Sequence, residues 1–486
     1  VPEPDGAPAR QRQATFAALD EAPMGWRQYG LWFVASGGTL LDGFAIFSLG
    51  VAMPLLIGRF SISPLMVGLI GAALVFGAAL GAAIGGPAAD RFGRKPLFLA
   101  DMAILATGAL IGAAAEIPLL VLLGQFLVGI GIGIDFPVSG SYVSETMPRR
   151  TRSRMVVATI ALQSVGMLLG AAVAIATLRY SAQLADWRWI VAATGAGACV
   201  FLILRLWLPE SPRWLVEQGR VGDATAIVVR LVPSALLAAT AASHTMTAPA
   251  SAAPLASAAP ARGLALLFSR PLRARTLLVS VPWFLMDIAT YGVGLFTPVI
   301  LGAIHLSPAA GGFVANDFAD AQGSAAIDLF LLIGFLAGLY LVPRFGRIHM
   351  QVVGFAGMTL GMLILLFATA AASGSAGHVP LIFVGFILFN LAMNAGPNAT
   401  TFTLAPELFP TGVRGTASGF AAAVAKVGAT LGIFVLPQVK AAWGVSGVLA
   451  LMTTVSALGI VATLFFRREV LEAQEGLGLE EAAAIR

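Results

Sequence analysis

Apolar residues occupy this chain in long unbroken runs rather than in the two-residue alternation of half-buried strands. The runs fall near 29–57, 64–89, 96–116, 117–144, 155–178, 187–208, 276–303, 325–342, 349–372, 379–404, 413–438 and 441–466. These are about twelve stretches of roughly the 20 residues that a helix needs to cross a bilayer. Continuous runs favour helices over barrel strands, and a spanning helix satisfies its own backbone hydrogen bonds without water. Between the sixth and seventh runs lies HTMTAPASAAPLASAAPAR, residues 244–262, a small-residue tract with too little apolar surface to fold. The pattern predicts an all-α membrane protein with a polar tail at 1–28, a six-helix bundle at 29–208, a linker at 209–275, a second bundle at 276–466 and a tail at 467–486.

Composition agrees with that reading. Of 486 residues, 58% are hydrophobic and 11% charged, with a mean hydropathy of +0.88, whereas a soluble domain carries about 25% charged residues. The net charge of +5 is spread unevenly: Arg59, Arg179, Arg188 and Lys440 fall in loops of one side, Lys426 falls inside a run, and the other Lys and Arg fall in the tails and the alternate loops. This positive-inside asymmetry places both termini in the cytoplasm of a plasma membrane, with a bacterial inner membrane expected, and accounts for the basic balance without nucleic acid. Residues 1–28 read as a mobile cytoplasmic tail rather than a secretory leader. Cys199 is the single cysteine and the four histidines are scattered, so neither an internal disulfide nor a metal centre is expected. No nucleophile, base and metal constellation accompanies the acids, which argues against an enzyme and against a cofactor. A monomer is expected.

The two halves echo each other. RFGR stands at 91–94 and again at 344–347, each after the second run of its half. ETMPRRTR from Glu145 and ELFPTGVR from Glu407 each join the fourth and fifth runs of a half, with Pro three residues on and Arg seven on. Six helices repeated in parallel is a layout whose substrate site lies near the midplane, between halves that rock against each other. The loop residues read as a lock on one face. Gly86 permits close helix approach, Asp90 caps a neighbouring helix, and Gly93 sits in the turn between Arg91 and Arg94. Arg344 and Arg347 repeat the basic pair, and the expected ion pairs are Glu145 with Arg152 or Arg154, Glu407 with Arg414, and Glu210 with Arg213.

Three carboxylates lie deep in runs, Asp42, Asp135 and Asp287, together with one cation, Lys426. Each charge costs about 2.5–3.5 kcal/mol at the centre of an isolated spanning helix, so partners or a wet cavity are required. Trp283, Asp287 and Tyr291 stand at i, i+4 and i+8, on one stripe of a helix. Asn390, Asn394 and Asn398 repeat that spacing, and Gln163 adds an amide on the fifth run; interhelical hydrogen bonding is the plain reading for Asn390 and Asn394. GIGIGID at 129–135 follows no strand, and its glycines suit close helix packing rather than a phosphate loop.

GGPAADRFGRK, residues 85–95, resembles the loop signature of the major facilitator superfamily, and PESPRWL at 209–215 resembles a segment of its sugar-porter-like members. GIDFPVSGSYVSE, WFLMDIATYG and GPNATTFTLAPELFPTGVRG resemble the fourth, seventh and tenth helices of the phosphate:proton symporter family. The resemblance implies the major facilitator fold, with substrate contacts at Phe136, Gln163, Trp283, Asp287, Tyr291, Asn398 and Lys426, and proton-coupling acids at Asp42, Asp135 and Asp287. It implies symport of protons with a small anion, phosphate foremost. Two positions depart from the family pattern: Phe136 stands where Tyr is usual, and Ala45 where a second acid is usual. A sugar or an organic acid on the same scaffold, and a sensor that binds without transporting, stand as alternatives.

Overall fold

The computed structural model describes residues 17, 19–181, 183–232, 264–303, 313–371 and 379–475. Its helices are α1 (Trp26–Ala35), α2 (Gly37–Phe60), α3 (Pro64–Phe92), α4 (Arg94–Ala113), α5 (Pro118–Thr146), α6 (Arg152–Tyr180), α7 (Trp187–Arg205), α8 (Pro212–Glu217), α9 (Val221–Leu231), α10 (Leu264–Leu267), α11 (Arg273–Ala303), α12 (Phe313–Phe345), α13 (Arg347–Ala371), α14 (Val379–Ala395), α15 (Pro397–Leu408) and α16 (Thr411–Glu475). Among the described residues, ten helices are long and apolar enough to cross a membrane, and Leu329–Phe345 is a shorter apolar helix. α16 supplies two of the ten, Val413–Leu436 and Ala442–Arg468, with a non-helical backbone at Gly444. Large apolar side chains such as Leu65, Ile84 and Phe367 point outward, as the lipid-facing surface of a spanning bundle requires. Tyr180, Trp207 and Trp443 are exposed at or beside span ends, where amphipathic rings suit the headgroup layer.

Two runs that read as continuous in sequence are broken in the structure. The first divides at Ser36, whose hydroxyl meets Thr159 Oγ1 at 2.9 Å, between α1 and α2. The tenth divides at Gly396, ahead of Pro397, which lacks the N–H to continue the backbone ladder. The linker also holds more structure than its composition suggests. α8 and α9 form within it, while the 244–262 tract lies outside the described residues. The tail expected to be mobile up to residue 28 is docked from Leu19 onward: Leu19 is buried with Val228 and Val232 of the α9 end.

Glycines set the closest helix approaches. A Cβ on Gly43 would lie 1.8 Å from Gln163 O, and one on Gly166 would lie 1.8 Å from Leu40 O; the reciprocal gap lets α2 and α6 touch backbone to backbone. The GIGIGID glycines pack likewise, Gly129 and Gly133 against α3 and Gly131 against α4. Across the two halves, α3 packs on α16 and α6 on α12.

Candidate functional site

Lys426 projects from α16 into the protein and is 3% exposed. Its Nζ lies 3.3 Å from Asp287 Oδ2 and donates to Tyr291 OH at 2.5 Å, both on α11. The same ammonium stands over two aromatic faces, Tyr291 at 4.5 Å and Phe136 at 4.9 Å. Phe136 belongs to α5 of the other half, so the contact joins the halves through the one cation in the spanning core that the sequence singles out. A cation over a desolvated ring gains about 2 kcal/mol, and the carboxylate supplies the compensating charge. Phe136, Trp283 and Phe402 meet edge to face with ring centroids 6.1–6.5 Å apart. Beside them a narrow gap is lined by Gly140, Ala405, Pro406, Ser418 and Ala422.

Asp42 lies on the neighbouring side of the same interior. Its Oδ2 accepts from Gln163 Nε2 at 2.6 Å, where Gly43 lies against the Gln163 backbone and Gly166 against that of Leu40. The Asp42 carboxylate is within electrostatic reach of Lys426, Asp287 and Asp135. The amides of α14 and α15 bond along the chain: Asn390 to Phe386 O, Asn394 to Asn390 O, and Asn398 Nδ2 to Asn394 Oδ1, each at 2.9 Å. One donor of Gln163 and one of Asn398 are therefore already committed within the protein.

Asp135 is held differently. Arg205, fully buried at the end of α7, donates to Asp135 Oδ1 at 2.5 Å and to both oxygens of Asp101 at 2.8 Å. It also donates to the carbonyls of Val34 and Ala35, beside the break at Ser36, and stacks over Phe98 at 4.4 Å. Asp135 Oδ2 is buried with no hydrogen-bond partner. Sequence reasoning passed over Asp101 and Arg205, although RKPLFLADMAIL and LILRLWLPE carry them inside or at the end of apolar runs. A charge near a span end reads as snorkelling to the interface; only packing shows that these two point inward.

On the face that carries α8 and α9, here the linker face, the ion pairs differ from those expected of a lock. Arg94 pairs with Glu145 at 2.8 Å, and Arg347 pairs with Glu407, so the last Arg of each RFGR meets the Glu of its own half's second echo. Gly93 and Gly346 hold φ of +98° and +86° at matching turns, a left-handed region that glycine enters without strain. Arg414 reaches across the halves to Glu145 at 3.6 Å rather than to Glu407. Glu210, expected beside Arg213, caps α4, accepting from the backbone N–H of Arg94 and Lys95 at 2.8 and 3.1 Å. Arg152 and Arg213 both pair with Asp20. Arg154 is exposed, Arg91 stacks on Phe92, and Arg344 donates to Tyr340 OH at 2.6 Å. Where Glu145, Arg213 and Arg414 differ from expectation, the reason is that helices distant in sequence bring other partners alongside.

Asp90 bridges the two halves. It accepts from Gly415 N at 3.2 Å and from Thr416 N and Oγ1 at 2.8 Å, at the beginning of α16. Gly86, one turn earlier, permits this, since a Cβ there would lie 2.3 Å from Gly415 O. Hydrogen bonds to a charged acceptor contribute about 1.5–3 kcal/mol each. We expect Asp90→Ala to open the linker face. With Cys199 replaced by Ser and Ser418→Cys as a probe in the gap below the rings, maleimide labelling rises about tenfold, equal to about 1.4 kcal/mol; unchanged labelling would remove Asp90 from the lock.

A profile described as "Sugar (and other) transporter" matches residues 31–482. The inner membrane metabolite transport protein YgcS of Escherichia coli (strain K12) is 28% identical over 458 residues, covering 93% of this chain and 94% of its own. The repressible high-affinity phosphate permease of Neurospora crassa is 26% identical, covering 90% and 83%. A probable inorganic phosphate transporter 1-9 of Oryza sativa subsp. japonica is 30% identical, covering 87% and 79%. The proton:xylose symporter XylE of E. coli, solved with a bromodeoxyglucose, superposes with a TM-score of 0.73 at 21% identity, covering 91% of this chain and 96% of that one. Multiple spanning helices, a charged interior between two halves and a profile match along nearly the full length together identify a multi-pass membrane transporter: the chain belongs to the sugar (and other) transporter family and has the fold of the major facilitator superfamily.

Proposed function

We propose that this protein is a proton-coupled symporter that carries a small anion, phosphate foremost, inward across a plasma membrane by alternating access. The observation that carries the reading is the Lys426–Asp287 pair, 3.3 Å apart within the second half and facing Phe136 of the first. While Asp287 is ionised the pair is neutral and an anion entering the site meets a competing carboxylate. Once Asp287 takes a proton, the charge of Lys426 is released to the ligand. Proton and anion therefore bind together and leave together, which is symport expressed as charge balance. Tyr291 and Trp283 on the same stripe supply hydrogen-bond donors, and Phe136 and Phe402 close the site toward the linker face. Asp42, bonded to Gln163, and Asp135, paired to Arg205, are the further proton-coupling acids. With the linker face cytoplasmic, the closed lock belongs to a state shut toward the cytoplasm, and the Arg94, Arg347, Glu145 and Asp90 contacts break as that face opens.

Phosphate is favoured by the relatives named as a phosphate permease and a probable inorganic phosphate transporter, and by the buried cation. A sugar needs several free amides, and the two candidate amides are partly occupied by Asp42 and Asn394. A monoanion moved with one proton feels no membrane potential, and each further proton adds about 2.3 kcal/mol per 100 mV.

The test is Asp287→Asn in proteoliposomes. The amide cannot exchange a proton, so phosphate uptake should lose its rise with acidification, and exchange of phosphate for phosphate should persist better than net uptake. Wild-type net uptake with the wild-type pH profile would refute the role of Asp287.

A further inference from the structure

We propose that residues 19–28 form a clasp that holds the linker face closed, with Asp20 as its charged element. The inference rests on the alternating-access reading above, yet it concerns a segment that the reading does not use. Three kinds of contact fix the segment. Leu19 is buried against Val228 and Val232 at the end of α9. Gln28 Nε2 donates to Leu231 O at 3.1 Å and Arg27 Nη1 to Arg230 O at 3.4 Å, so the start of α1 satisfies carbonyls at the C-terminal end of α9. Asp20 Oδ1 accepts from both Arg152 at the start of α6 and Arg213 of α8, while its backbone carbonyl accepts from Arg149 N at 3.0 Å.

Charge explains why this small segment bears on the lock. Arg152 is repelled by Arg213 and Arg414, and Arg414 by Arg213 and Arg94. Among the described residues the facing carboxylates are Glu145 and Glu217, which act on both Arg94 and Arg414, Asp90, which pairs with Arg94, and Asp20 on Arg152 and Arg213. Arg213 also donates through Nε to Glu145 O at 3.3 Å, directly beside the carboxylate that Arg414 approaches. Arg414 is the member of this group that belongs to the second half. With Asp20 in place, the charges of Arg152 and Arg213 are compensated and Arg414 can settle. Without it, the repulsion falls on Arg414 and is relieved when the halves separate on this side. The side chains of Asp20, Arg152 and Arg213 are only 21–27% exposed, so solvent screens them incompletely.

The proposal predicts that Asp20→Asn favours the open linker face. In the Cys199→Ser, Ser418→Cys protein, labelling with a membrane-impermeant maleimide should rise about threefold, a shift in the closed-to-open population. Asp20→Glu, which keeps the charge, should stay near the parent level, and Leu19→Ala, which loosens the apolar anchor, should move in the same direction as Asp20→Asn. Asp90→Ala serves as the reference for an open lock. If Asp90→Ala raises labelling while Asp20→Asn stays at the parent level, the clasp is refuted and the lock stands. If Asp20→Glu rises as far as Asp20→Asn, a charge-based clasp is refuted as well.

Discussion

Replacing Lys426 by Gln should abolish anion binding while leaving a chain that still folds when Asp287 is neutralised with it. Lys426 is the shared partner of Asp287 and Tyr291 and the cation over Phe136. Truncating one member of a buried charge pair costs about 2–5 kcal/mol, much of it the burden of the orphaned partner, which corresponds to roughly 30-fold to several thousand-fold in affinity. The single variant therefore confounds binding with stability. Lys426→Gln with Asp287→Asn removes both charges, restores stability toward the parent, and still fails to bind phosphate because no cation faces the ligand. Thermal stability and phosphate binding measured on the single and double variants separate the two contributions. Phosphate binding at parental affinity by the double variant would show that the charge pair does not recognise the anion.

Arg205→Gln should be the most destabilising substitution in the first half. Arg205 joins two carboxylates, two carbonyls at the helix break and the face of Phe98, all within a fully buried site. Its removal leaves Asp101 and Asp135 facing each other without a cation, a loss of about 3–5 kcal/mol for a broken buried ion pair. Tm in detergent should fall markedly. Arg205→Lys should recover only part, because an ammonium cannot reproduce the planar two-sided donation. Adding Asp101→Asn to Arg205→Gln should recover more, since one of the two confronted charges is gone. A parental Tm for Arg205→Gln would mean that the helix break at Ser36 and the two acids are held by something else.

Much of this architecture is written in the chain because lipid imposes it. Continuous apolar runs permit little besides spanning helices, and the matching RFGR and Glu-Pro-Arg motifs expose the duplication. The central stripe was legible for the same reason: charges are so costly in hydrocarbon that Asp287 and Lys426 needed a partner, and helical spacing put Trp283 and Tyr291 beside the acid. The lock was legible in its membership but not in its pairing. Glu145 could be matched to Arg152 only by nearness in sequence, whereas α3, α4 and α16 bring Arg94 and Arg414 to it in space. Asp20 lay in a tail whose composition reads as unfolded, and its order depends on two arginines, one more than 100 residues away and the other almost 200. Asp101 and Arg205 each sit where a charge could have reached the interface, and nothing short of their packing distinguishes that from a buried triad. The break at Gly396 was hinted at by its proline, but the break at Ser36 was not, since its stabilising donor, Arg205, comes from five helices away.

A proton and an anion moving together past the Lys426–Asp287 pair, where it faces the first half, would give accumulation driven by a pH gradient alone. Uptake of radiolabelled phosphate into proteoliposomes under an imposed pH gradient, acid outside, tests it most directly. Accumulation should collapse on adding a protonophore and be competed away by unlabelled phosphate but not by unlabelled xylose. Accumulation of a labelled sugar under the same gradient, with phosphate neither accumulated nor competing, would contradict it.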